Sequence, residues 1–160
     1  MVNERDISQD KTMGDLGREG LWFLTHTLVA VVFLAIVIGV MSLDNPDPDS
    51  PTPKLLATVL AFFVPMIGGF LLARIHQNNV AAYTWISGLV FFSIICVQVL
   101  DLPTGNGLCE NCGATEKLWR TFFTFSHGSG LMGGDGLLIG TWMPLSMIGY
   151  AIGAKLALKL

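Results

Sequence analysis

Charge is what this sequence has least of. Only 13% of its 160 residues are Asp, Glu, Lys or Arg, against about 25% in a soluble domain. Leu21–Leu43, Leu55–Ala73, Val80–Leu100 and Leu137–Ala154 contain none. Each run is close to the roughly 20 apolar residues that cross about 30 Å of hydrocarbon as a helix, and four such runs exclude an ordinary soluble core.

Other absences narrow the function. A net charge of −3 gives no basis for nucleic-acid binding. No Ser–His–acid constellation, acidic pair or intramembrane ion pair is present, and the spans lack a charge-lined path, which weakens a channel or transporter reading. Gly128-Ser129-Gly130-Leu131-Met132-Gly133 has the spacing of a dinucleotide fingerprint. It lacks the preceding strand and βαβ unit that give such glycines their role, and reads instead as a compact turn back into the bilayer, with Asp135 capping the last span. The first apolar run is longer than a signal-peptide core and is followed by no small-residue cleavage pattern.

What is present points to an all-α integral membrane protein: a four-transmembrane-helix bundle with spans at about 21–43, 55–73, 80–100 and 137–158. A polar segment, 1–20, precedes this 21–160 membrane domain. The Asp44–Pro53 connector is expected to stay non-helical, because four prolines interrupt it. Lys and Arg are unequally shared between the two sides. Arg5, Lys11, Arg18, Arg74, Lys155 and Lys159 fall on one, and Lys54, Lys117 and Arg120 on the other. The positive-inside rule then places both termini in the cytoplasm, in a cell (inner) membrane, and the 101–136 loop on the outer or periplasmic side. Trp22, Tyr83 and Trp85 mark one interface, Trp119 and Trp142 the other.

Small residues recur every fourth position in the second helix (Ala57, Ala61, Pro65, Gly69, Ala73) and in the fourth (Gly136, Gly140; Gly149, Gly153, Ala157). Such stripes let backbones approach closely, either within the bundle or against another subunit. Pro65 and Pro144 are expected to kink their helices. In the outer loop, Leu118, Trp119, Phe122 and Phe123 share a helical face opposite Glu116, Lys117, Arg120 and Thr124, the pattern of a short interfacial helix.

The sequence has three cysteines and three histidines. Cys109 and Cys112 form a Cys-x-x-Cys in the outer loop, where a disulfide is permitted. Haem attachment requires His immediately after the second cysteine, and Gly113 stands there. Zinc is conceivable through Cys109, Cys112 and His127, with Asp135, Glu116 or Asp101 as a fourth ligand. In architecture alone, four spans and an outward Cys-x-x-Cys resemble the quinone-linked enzymes that reoxidise disulfide catalysts. Cys96, inside the outer end of the third span, would be a third thiol; those enzymes use two cysteine pairs. The plainest reading is a structural clip closing one turn. His26 and His76 fall near the cytoplasmic face, where they suit haem ligation as a pair or a chlorophyll-type pigment singly. The sequence thus supports, first, a non-catalytic accessory subunit of a larger, energy-converting type of membrane assembly. Next come a thiol or metal protein acting through Cys109 and Cys112, and a haem or pigment subunit using His26 and His76.

Overall fold

The structure is a computed structural model and describes residues 13–43, 51–105, 109–124 and 139–160. Five α-helices account for most of them: α1 (Met13–Leu43), α2 (Pro51–Ile75), α3 (Trp85–Asp101), α4 (Ala114–Phe122) and α5 (Trp142–Lys159). Short 3-10 turns at Asn79–Tyr83 and Ile139–Thr141 lead into α3 and α5. Among the described residues there is no strand. Among the described residues, three helical segments are long and apolar enough to cross a membrane: Gly14–Leu43, Leu55–Ile75 and Asn79–Asp101.

The fourth expected span is a different kind of helix. α5 runs for 18 residues from Trp142, after the 3-10 turn, and carries Lys155 and Lys159 in its second half. It is the centre of the bundle, packed against α1, α2 and α3. Pro144, Ser146, Met147, Gly149, Tyr150, Ala151, Gly153, Ala154 and Ala157 are all buried on it. Its neighbours are half-buried at most. α1 turns His26, Ala30, Leu34 and Val37 inward and leaves Leu21, Leu24, Leu28, Val32, Ile36 and Val40 exposed, so one stripe packs and one faces out.

Small residues carry the central contact. A Cβ on Gly149 would lie 2.3 Å from the carbonyl oxygen of Phe62, and one on Gly153 would lie 1.9 Å from that of Met66. In return, a Cβ on Gly69 would lie 2.2 Å from the carbonyl oxygen of Tyr150. Gly69 of one stripe and Gly149 and Gly153 of the other therefore face each other across α2 and α5, Ala57, Ala61, Ala73 and Ala157 are buried too, and Gly140 meets Thr121 and Phe122 of α4 instead. Gly136 lies outside the described residues. In hydrocarbon, burying a leucine against another helix gains little, because lipid is equally apolar; close backbone approach is what holds such a pair.

The contacts Phe62–Gly149 and Met66–Gly153 advance together, so α2 and α5 run parallel. Phe33 against Gly68 and Trp22 against His76 make α1 antiparallel to α2. Trp142 donates its indole N–H to Thr58 Oγ1 at 2.8 Å, tying the start of α5 to the upper part of α2. Thr27 and Ser87 share a 2.8 Å hydroxyl hydrogen bond between α1 and α3.

Three local expectations are corrected. Pro51 and Pro53 belong to the first turn of α2, where the missing N–H would be unpaired in any helix, so the connector's last prolines start a helix instead of preventing one. Pro144 likewise falls in the first turn of α5, just after the 3-10 turn Ile139–Thr141, and so interrupts no earlier α-helical turn, whereas Pro65 lies inside α2. The N-cap position of α5 is Thr141, which makes no side-chain capping bond. Asp135 lies outside the described residues. α1 begins at Met13, so the last part of the polar segment 1–20 is helical.

Candidate functional site

Two places in the fold gather the residues able to do chemistry. Ahead of α4, Cys109 and Cys112 have their sulfurs at bonding distance, with Cα atoms 5.7 Å apart. Asn111 closes the turn between them at φ 60°, the left-handed region that asparagine tolerates better than most side chains. Gly113 follows as the N-cap of α4, so the pair sits directly on the start of that helix. Cys112 is buried and Cys109 half-buried, while Cys96 is a free, half-buried thiol on α3. With its sulfurs joined, the pair has no thiolate for a metal. His127 and Asp135, the other expected zinc ligands, lie outside the described residues. Glu116 is engaged by Arg120, at 2.7 Å, and Asp101 is exposed at the end of α3.

α4 is amphipathic, yet its faces are not divided as the sequence pattern suggests. Lys117 is turned inward, 8% exposed, and its ammonium donates to the carbonyl oxygens of Leu100, at 3.3 Å, and Leu102. Those oxygens end α3, where carbonyls lack helical partners and the macrodipole favours a cation. Phe122 is buried, its ring tilted against that of Phe92 with centres 4.8 Å apart, and its ring edge meets the site of a Cβ on Gly140 at 3.0 Å. Trp119 and Phe123 remain exposed and lie against each other at 5.2 Å. One aromatic thus docks α4 on the bundle while two face outward. Lys117 joins the docking face because a charged tip can reach helix-end carbonyls while its stem packs.

Inside the bundle, His26 of α1 is 2% exposed, and its Nδ1 lies 2.7 Å from the hydroxyl of Tyr150 on α5. Its Nε2 is buried with no hydrogen-bond partner. Trp22, one turn earlier, contacts both His26 (5.9 Å between ring centres) and His76 (4.6 Å). His76 itself is exposed, just beyond the last turn of α2. The two histidines expected to act as a pair are therefore joined through an indole lying against both. A flat macrocycle held between them would compete with Trp22 for that space. His26 alone offers a buried ring nitrogen oriented by a hydrogen bond at the other, the arrangement that fixes a tautomer.

Comparison with protein-family models, curated proteins and solved structures finds no match. The site must be read from its own residues.

Chemically, the Cys109–Cys112 pair can exist as a disulfide or, reduced, as two thiols beside a helix N-terminus. The inner pair can hold a proton between an imidazole and a phenol. Among the described residues, no group of three or more His, Cys, Asp or Glu comes together as a metal site. Sequence reasoning missed Tyr150 and Lys117. Tyr150 carried a usable signal: it is a phenol amid an otherwise uncharged, glycine-rich run, and a polar tip in hydrocarbon needs a partner. Lys117 carried none, since its spacing fits the polar face equally well.

Proposed function

We propose that the chain is a four-span integral membrane protein that serves as a non-catalytic accessory subunit in a larger membrane assembly, with both termini cytoplasmic. The observation that carries this reading is what the bundle leaves uncovered. Its small-residue contacts are used internally, and α1 and α3 present outward faces of large apolar side chains: Leu24, Leu28, Val32 and Ile36 on one, Leu89, Val90, Ile94 and Val97 on the other. Gln98 is exposed on that same face of α3 and makes no hydrogen bond among the described residues. An amide facing hydrocarbon is stabilised by a polar group on a neighbouring helix, which a partner subunit supplies.

A photo-activatable side chain at position 98, and another at position 28, tests this in native membranes. The expected product is a discrete cross-linked protein partner. Lipid adducts alone, together with a monodisperse single chain in detergent, count against it.

A second reading rests on the closed Cys109–Cys112 pair: a thiol–disulfide protein of the outer face. Cys112 is buried, which suits a clip better than a nucleophile, so activity is decisive. Under this reading Cys109→Ser and Cys112→Ser each abolish disulfide exchange with a reduced protein substrate; unchanged function in both leaves the clip.

A further inference from the structure

The far end of the bundle carries a groove that neither reading uses. Ala82, Trp85, Ile148, Ala151, Ile152 and Lys155 line a cleft of about 320 Å³ between the 3-10 turn Asn79–Tyr83 with the start of α3 and the middle of α5. That is the lower end of the size range of small-molecule sites. On α5 the lining residues fall at i, i+3, i+4 and i+7, so they form one stripe that is apolar for two turns and then ends in an ammonium.

The electrostatics of that stripe are one-sided. Lys155 is exposed and forms no ion pair among the described residues. Lys159 follows one turn later on the same face. No Asp or Glu occurs on α5 or in the turn Asn79–Tyr83, and the one acid of α3, Asp101, stands at its opposite end. Two cations therefore meet no carboxylate from the elements that form the cleft.

The surroundings place this end at a membrane surface. The polar turn Gln77-Asn78-Asn79 adjoins it, Asn78 accepting a hydrogen bond from the Val80 N–H at 3.0 Å. Tyr83 and Trp85 beside it are exposed, as aromatic residues of an interfacial belt are. From Ile148 to Lys155 the stripe rises about 10 Å along the helix. That is the reach of half an acyl chain below a headgroup.

We propose that this cleft is a binding site for an anionic phospholipid. One acyl chain lies along Ile148, Ala151 and Ile152 against Ala82, and the phosphate sits on Lys155 beside the edge of Trp85. The ligand must be amphipathic, because the apolar stripe and the ammonium are continuous. It is expected to be anionic, because among the described residues Lys155 and Lys159 form no ion pair and the elements lining the cleft bring no carboxylate to them. The assignment goes beyond the accessory-subunit reading and does not depend on a partner protein.

The test uses the full chain in nanodiscs of mixed phosphatidylglycerol and phosphatidylcholine, with retained lipid counted by native mass spectrometry after mild release. The wild-type chain retains one phosphatidylglycerol in preference to phosphatidylcholine. Lys155→Gln lowers that preference about fivefold, the effect of one lysine at an anionic lipid surface. Ile152→Trp, at a partly exposed position, fills the cleft and removes the retained lipid while Lys155 stays in place. Equal retention of the two lipids by the wild-type chain overturns the proposal. So does a preference that survives both substitutions in protein whose helicity by circular dichroism is unchanged.

Discussion

At the scale of single residues, the bundle depends on hydrogens that stand in for side chains. Gly149 and Gly153 of α5 sit so close to carbonyls of α2 that a methyl group overlaps backbone, which cannot swing aside as a flexible side chain can. Gly153→Ala is therefore expected to destabilise the fold by about 1–3 kcal/mol or more. Gly39→Ala meets nothing within 4 Å, and should be neutral or gain the roughly 0.5–1 kcal/mol by which alanine favours a helix. Thermal unfolding of both variants in detergent, followed by circular dichroism, should separate them in that order. His26 and Tyr150 offer a second contrast. Tyr150→Phe leaves both imidazole nitrogens without partners and should cost about 1–3 kcal/mol, whereas His26→Leu combined with Tyr150→Phe removes both polar groups and should recover much of that loss. A double-mutant cycle measures the coupling; additive losses would mean that the 2.7 Å contact contributes nothing.

At the scale of elements, α4 is held by three short-range devices acting on one helix. The Cys109–Cys112 turn sets its start, Lys117 fastens its first turn to the end of α3, and Phe122 fixes its last turn against Phe92 and Gly140. Lys117→Met keeps the packing of the stem but leaves the α3 carbonyls without their cation. α4 amides should then exchange faster with deuterium, while Lys117→Arg, which still donates, should stay close to wild type. Reducing the disulfide should have a smaller effect on global stability, no more than about 2 kcal/mol, because the loop it closes is so short. This element also shows where sequence reading reaches its limit. The helix and its aromatic residues were legible from spacing, because a 3.6-residue period is a property of the chain itself. Which aromatic docks, and that Lys117 docks with it, depends on where α3 happens to end, and no local pattern encodes that. The prolines misled for a related reason. The same residue type stops a helix in its interior and starts one in its first turn, so Pro51, Pro53 and Pro144 had to be read by position.

At the scale of the whole molecule, the lack of charge was enough to read an all-helical chain with membrane-spanning lengths, and three segments meet that description. The fourth differs because it is enclosed: a helix surrounded by α1, α2 and α3 needs small residues more than it needs hydropathy, and its glycines, serine and lysines lower the very signal by which spans are found. The four-span reading predicts an even crossing number. Single reporter cysteines placed before α1 and after Lys159, in a chain with the three native cysteines replaced by Ser, should react with an impermeant thiol reagent from the same side; labelling from opposite sides would fit three crossings instead. The surroundings of His26 were only partly legible. That a polar ring inside an apolar run needs a partner follows from the sequence, but the partner comes from a helix more than a hundred residues away, and only the packing of α5 brings Tyr150 to it.

The parallel contact between α2 and α5 also dictates an order of events during synthesis. The two helices that approach most closely are separated in the chain by α3 and α4. Under the four-span reading, when α2 leaves the ribosome its glycine-and-alanine face has no counterpart, and it must wait in lipid, or against a chaperone of membrane insertion, until α5 has been made. A chain terminated before Trp142 would keep that adhesive face bare. Such a product should self-associate through Ala57, Ala61, Gly69 and Ala73, and quality control should remove it more readily than one lacking residues of the N-terminal segment.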